Sequence, residues 1–394
     1  MQRHPRSLLL ALGALTAFGP LSLDVYLPSL PQLGSDLDAS ESLTQFTLSA
    51  CMIGLALGQL LWGPISDRYG RRMPLFIAIT GFIVTSLLCA AAPTIEVLIG
   101  IRIVQGLCGA AGMVIARAVV HDLFSGAEAV AAYSTLAAVL GITPVLAPLV
   151  GGGVALVSDW RGVFVTLAVI GALLLAVAAL AVPETHAPDD RTAGGIRNDL
   201  RGIGAALANG PFMLAAATLG LASIALFSYL QMSPFVLQQQ YGLSPQGFAL
   251  VFAANSVGIL AAATLNRRLA RRAPAQRVVR WSLSIAAAAA IAVLLAGILD
   301  SSLPWLLVPL FVVMSSHGIN NPSLTALGLG QITRSAGSAS AVLGTVSMLL
   351  GALVPPLVSL FGVSAAVLGG TMLAALVGAL VLLAVASARG TRNA

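Results

Sequence analysis

The chain has 394 residues, of which 58% are hydrophobic and only 9% charged. So few charges cannot cover the surface of a soluble protein this large, and lipid is the natural solvent of the chain. The net charge of +6 comes from arginine alone, because lysine is absent. That excludes lysine-based covalent chemistry and points the basicity to membrane orientation rather than to nucleic acid.

The N-terminus, Met1 to Ser7 with Arg3 and Arg6, precedes an apolar run as a signal peptide would. The run is too long for that, carries Asp24 and is followed by many more, so it reads as an uncleaved first span. A span needs about 20 apolar residues. Six are predicted in the first half, at 8–30, 43–65, 74–92, 95–118, 130–156 and 162–182. Six more follow at 212–236, 246–266, 279–299, 304–328, 336–360 and 364–387. The polar stretch from Glu184 to Gly210 is long enough for a linker and too short for a folded domain. The expected organisation is an N-terminal bundle at 1–186, a cytoplasmic linker at 187–210 and a C-terminal bundle at 211–394.

After the second span stands Gly63-Pro-Ile-Ser-Asp67-Arg68-Tyr-Gly70-Arg71-Arg72, which puts charge and a turn between two apolar runs. A second version, Ala263-Thr-Leu-Asn-Arg267-Arg268-Leu-Ala-Arg271-Arg272, follows the eighth span. Both continue to a proline, Pro74 and Pro274, and Gly58 has its counterpart in Gly258. The chain therefore reads as two related halves, and internal repeats in a chain this apolar point to a secondary transporter. In a twelve-span arrangement every loop and terminal arginine except Arg161 falls on one side. The positive-inside rule then predicts that both termini are cytoplasmic.

Asp24 and Arg102 are charged residues left inside spans. At a rise of about 1.5 Å per residue they lie about 9 and 11 Å below the same surface, so a direct or water-bridged pair is expected. Such a pair could be a permanent tie between spans 1 and 4, or a site of proton coupling. A buried ion pair adds little stability over apolar packing, and intramembrane ionisable groups mark proton or substrate paths. Tyr26, Gln105, Tyr229, Gln231, His317, Asn320 and Asn321 are the other polar candidates, either lining a substrate cavity or bonding helix to helix. Span 5 carries Pro144, Pro148, Gly151 and Gly152, a pattern that predicts a kinked helix open to close packing. Cys51, Cys89 and Cys108 lie in apolar runs without ligand spacing and read as small buried hydrophobes. No metal or cofactor is expected. No His-Glu-x-x-His, paired aspartate or serine–lysine constellation argues for an intramembrane enzyme, and no charge ring or filter segment argues for a channel.

On these residues the chain resembles the major facilitator superfamily, and within it the twelve-span drug:proton antiporters. Gly63 to Arg72 matches the superfamily motif between spans 2 and 3 at its strongly characteristic positions. Leu98 to Ala111, with Arg102, Gln105 and Gly106, resembles its span-4 motif. The span-5 segment resembles the antiporter motif, with Ala147 where glycine is usual. Trp160-Arg161 with Phe164, and Pro183-Glu184-Thr185, are further echoes. Asp24-Val-Tyr-Leu-Pro28-Ser-Leu-Pro31, Arg117-Ala-Val-Val-His-Asp122 and Ala336-Gly-Ser-Ala-Ser-Ala341 resemble the Bcr/CflA subgroup, whose members export antibiotics of the bicyclomycin and chloramphenicol kind.

The resemblance implies an all-α fold of two pseudo-symmetric six-helix bundles. It also implies proton-coupled export of small amphipathic compounds by a monomer in a bacterial inner membrane. Its partners are then substrate, protons and lipid. A proton-coupled exporter of a physiological metabolite or sugar is the alternative. By the same resemblance Asp67 and Arg71 belong to a cytoplasmic latch, with Asp67 near the N-terminal end of span 11, where a helix dipole favours a carboxylate. Arg267 stands at the Asp67 position of the second half, so the two hinges cannot work alike.

Overall fold

A computed structural model describes residues 6–186, 204–332 and 336–390. Among them are twelve helices long and apolar enough to cross a membrane, and no strand. The spans are Ser7–Asp36, Glu41–Tyr69, Arg72–Ala90, Ile95–Leu123, Gly126–Val154 and Trp160–Ala181, then Gly210–Gln240, Pro245–Leu269, Ala275–Ile298, Leu303–Leu329, Ala339–Phe361 and Ala365–Ala388. All twelve predicted segments are present, several of them longer than hydropathy alone suggested. The chain is a multi-pass membrane protein.

The span starts follow from local chemistry. Ser40, Thr94, Asp159, Asn209 and Ser244 each accept a backbone N–H of the first turn of spans 2, 4, 6, 7 and 8. These caps satisfy donors that a helix cannot satisfy itself. Glu41 and Glu96 sit in first turns, where the helix dipole favours an acid. Connections of a few residues force neighbouring spans antiparallel. Outward faces are apolar, with Leu57, Leu61, Ile77 and Val84 exposed, as a lipid-facing surface requires.

The chain divides into two compact units, 1–195 and 196–394. Most of the expected linker, residues 187–203, lies outside the described residues. In unit 1, span 2 packs on span 4, span 3 on spans 4 and 6, and span 1 on spans 4 and 5. In unit 2, span 8 packs on span 10, span 9 on spans 10 and 12, and span 7 on spans 10 and 11. The second list is the first shifted by six spans, so the repeat in the sequence is a repeat of packing. Gly58 meets span 4 and Gly258 meets span 10, as their matched positions predict.

Two elements differ from the sequence reading. Span 1 is not one helix. It stops at Asp24, passes through a turn and a 3-10 segment at Leu27–Ser29, and resumes at Leu30–Asp36. Pro28 and Pro31 supply no N–H to continue the first helix, so the break falls there. The charged motif is also mostly helix rather than turn. Residues from Gly63 to Tyr69 are the last two turns of span 2, and the chain reverses only at Gly70. Gly70 has φ of 90°, a conformation open to glycine at little cost, and this lets Arg71 point back into the bundle.

Candidate functional site

Arg102 is the centre of unit 1. It projects from span 4 and is fully buried. Its Nη1 donates to Gln105 Oε1 at 2.6 Å. Both terminal nitrogens donate to the Ser22 carbonyl at 3.3 Å, and Nε donates to the Thr47 carbonyl at 3.3 Å. The guanidinium lies 4.6 Å from the centre of the Tyr26 ring and 5.6 Å from that of Phe164. Gln105 in turn donates to Ser86 Oγ at 2.7 Å. Tyr26 bonds to Thr47, and Trp160 packs edge-on against Phe164. Arg102 thus ties together spans 1, 2, 3, 4 and 6 around a charge that cannot be removed at any working pH.

The break in span 1 makes this possible. Ser22 is among the last residues of the first helical segment, whose final carbonyls have no partner further along the helix. Arg102 takes the place of the missing donor. Had span 1 run on, that carbonyl would have been closed by its own helix.

Asp24 lies two residues beyond Ser22, at the last position before the break, and is 6% exposed. Of the direct or water-bridged pair expected with Arg102, the direct form is absent. Arg102 goes to carbonyl and amide oxygens, and the Asp24 side chain has no ion pair or hydrogen bond among the described residues. The matched depths did bring spans 1 and 4 together at this level. The guanidinium sits in a cage that engages all three of its nitrogens, because each unmet buried donor is costly. Span 5 closes on the same place. Gly151 packs so tightly against the Val25 carbonyl that a side chain could not be accommodated there. Pro144, Pro148 and Gly152 lie in the same continuous helix.

The charged motif forms a second cluster. Arg71 is 5% exposed and pairs with Asp67, one turn earlier on span 2. Its Nη1 donates to Ser66 Oγ at 2.9 Å. Its Nε and Nη2 donate to the two oxygens of Asp122, at the end of span 4, at 2.9 and 3.3 Å. Thr185 adds a hydrogen bond to Asp122 at 2.7 Å. Burial pulls the Arg71 pKa down, but the bonds from Asp122 and Asp67 outweigh it and hold the group above its ordinary value. Glu184 accepts the backbone N–H groups of Arg71 and Arg72 at 2.8 and 3.1 Å. It caps span 3, whose own N-cap residue supplies no side-chain acceptor. Arg72 reaches the Ala179 carbonyl at 2.7 Å, and Arg68 lies over the Tyr69 ring. Gly63 makes no close approach.

Thr47 is a participant that the sequence did not mark, and Asp122, Glu184 and Phe164 stood in motifs without an assigned partner. Asp122 and Glu184 close spans 4 and 6 at the arginine-rich end, which was the signal that could have paired them with Arg71.

Removing either partner of Arg71 should have different consequences. The Asp122 side chain is 12% exposed and that of Asp67 51%. Asp122→Ala should destabilise unit 1 by about 3 kcal/mol, because it removes the more buried of the two acids that pair with the buried Arg71 guanidinium. Asp67→Asn should cost about 0.5 kcal/mol, as for an exposed pair. Thermal unfolding of the two purified variants checks the order.

Of the remaining polar candidates, Tyr229 and Gln231 are engaged between helices of their own unit. Asn255 donates to the Tyr229 hydroxyl at 2.7 Å, and Gln231 donates to the Gly351 carbonyl at 2.7 Å. His317 and Asn321 are half-buried on span 10, and Asn320 is buried beside them. The three cysteines are free and buried; Cys89 donates weakly to Gln105 and Cys51 touches Ser22 Oγ, which fits small packing residues. No group of three or more potential metal ligands occurs among the described residues.

This geometry can be set beside known proteins. The chain is 36% identical to the MFS-type transporter YdgK of Bacillus subtilis, over 97% of its own length and 96% of the relative's. It is 28% identical to the bicyclomycin resistance protein homolog of Haemophilus influenzae, over 89% and 88% of the two chains. The solved nucleoside transporter NupG has the same fold, with a TM-score of 0.78, 14% identity and coverage of 97% and 98%. Residues 10–355 match the family model described as Major Facilitator Superfamily. With its twelve apolar helices, its two units of like packing and that match over most of its length, the chain belongs to the Major Facilitator Superfamily.

Proposed function

We propose that this transporter exports small amphipathic compounds, antibiotics among them, in exchange for one or more protons. The observation that carries this is Asp24. It is a buried carboxylate without an ion-pair partner among the described residues, placed at the break in span 1 two residues from the carbonyl that holds Arg102. A proton gained or lost there acts on the segment that Arg102 and span 5 both grip. A change of charge at this point can therefore bias how span 1 packs, which is what coupling requires. The bicyclomycin name of one relative and the motifs around Asp24 support the substrate class. The arginine distribution supports cytoplasmic termini, so protons would enter down their gradient as substrate leaves.

The energetics suffice. A proton crossing about 100 mV and about one pH unit supplies about 3.7 kcal/mol, enough for a gradient of several hundred-fold in a neutral substrate. A susceptibility panel in a pump-deficient bacterial host tests the substrate class. Drug-dependent proton release from inverted vesicles tests the coupling. If no drug is affected while a labelled metabolite or sugar is carried, the protein exports a physiological solute instead.

Asp67 belongs to the conformational part of this reading. It is half-exposed and its pair with Arg71 closes one corner of the buried cluster. Asp67→Asn should lower turnover about tenfold with little change in substrate affinity, because it biases two conformations rather than removing a contact. It should also raise the labelling of cysteines placed at the cytoplasmic mouth. Unaltered labelling with a fall in affinity alone would show that Asp67 is not a latch.

A further inference from the structure

The two units treat the same corner differently. In unit 1 the end of span 4, the start of span 3 and the segment after span 6 are joined by Arg71, Asp122 and Glu184. In unit 2 the ends of spans 10 and 12 and the starts of spans 7 and 9 surround a cavity of about 250 Å³. Leu324, Leu327 and Leu383 form apolar wall, and Gln276, Gln331 and Ser387 supply polar groups.

Among the described residues the charge around this cavity has one sign. Arg280 reaches from span 9 to Ser387 Oγ at 3.4 Å, on the cavity lining. Arg268, Arg271, Arg272 and Arg277 are exposed close by in sequence, and none has a side-chain hydrogen bond or ion pair among the described residues. From residue 204 to 390 the chain contains a single carboxylate, Asp300, in the turn at the far end of span 9. Unit 1 satisfies its corner arginine with acids of its own. Among the described residues unit 2 has none to offer there, which leaves these arginines open to an anion from elsewhere.

The position selects the anion. Trp281, next to Arg280, is 67% exposed, and exposed tryptophans near span ends sit at headgroup level. Basic pockets between spans suit lipid phosphates. A free phosphate would have no use for the leucine wall. We propose that this corner of unit 2 binds an anionic phospholipid, with Arg280 and Gln276 on the phosphodiester and the leucines against the upper part of an acyl chain. The lipid braces spans 9 and 12 where Asp122 and Glu184 brace unit 1.

The test is thermal unfolding of the purified full chain in detergent. It is titrated with phosphatidylglycerol, with phosphatidylcholine of the same acyl chains, and with inorganic phosphate. Phosphatidylglycerol should raise the unfolding midpoint, and the other two should not at equal concentration. Arg280→Gln should require about tenfold more phosphatidylglycerol for the same rise, the loss of one charge-assisted contact. Arg267→Gln, the same charge change at the end of span 8, should leave the titration unaltered. Ser387→Leu, which fills the cavity mouth, should abolish the lipid response without lowering the lipid-free midpoint by more than a few degrees. Equal protection by phosphatidylcholine, or equal protection by phosphate alone, overturns the proposal. So does an equal loss of response in Arg267→Gln and Arg280→Gln.

Discussion

Asp24→Asn is expected to reduce proton-driven export to background, a loss of at least about 100-fold, while leaving a folded and membrane-inserted protein. The replacement keeps the size of the side chain and removes only its ability to exchange a proton. The Asp24 side chain makes no ion pair or hydrogen bond among the described residues, so its neutralisation strands no partner. The fold should tolerate it within about 1 kcal/mol. The outcome to look for is a split: counterflow of substrate down its own gradient persists, and uphill transport disappears. Inverted vesicles report both, through labelled substrate and a pH-sensitive dye. Should the variant still release protons when drug is added, as the unmodified protein does, the coupling group lies elsewhere. His317, half-buried on span 10, is then the next residue to neutralise.

For Arg102→Lys the expectation is the reverse, a loss of structure as well as function. Charge is conserved and the fork is not. Arg102 uses its donors on Ser22, Thr47 and Gln105 at once and lies against two adjoining aromatic rings. A lysine ammonium is a point charge that cannot reach all three acceptors or stack as a plane. Each buried acceptor left unmet costs about 1–3 kcal/mol, and the lost ring contacts add about 1–2 kcal/mol. A destabilisation of about 3–5 kcal/mol is expected, with transport reduced tenfold or more in the protein that still folds. Unfolding in detergent measures the first and vesicle transport normalised to folded protein the second. A lysine variant with unaltered stability and transport would mean that charge alone matters at this position and that the cage is incidental.

These two variants separate roles that the sequence could only join. Asp24 and Arg102 are legible from hydropathy, because ionisable residues inside apolar runs are rare and costly. Their depths were legible too, from the rise of a helix. Their relationship was not. The acceptors that hold Arg102 are two backbone carbonyls and an amide. Every residue carries a carbonyl, so nothing in the letters marks Ser22 and Thr47 as the ones left open.

The same boundary runs through the rest of the molecule. Composition, twelve apolar runs, the arginine alternation and the repeat of Gly63–Arg72 at Ala263–Arg272 are sequence properties, and they fixed the class, the span count and the two-unit plan. They could do so because a bilayer core accepts only backbones that satisfy themselves, which leaves little choice but long helices. The break of span 1 at Asp24, the inward turn of Arg71 after Gly70 and the joining of Asp122 and Glu184 to it were decided by tertiary structure. So was the open corner of unit 2, since the lack of carboxylates among its described residues has meaning only once packing shows which elements meet. Local propensity places each helix, but which buried donor finds which acceptor depends on groups as far apart in sequence as Arg71 and Glu184, 113 positions, meeting at one depth.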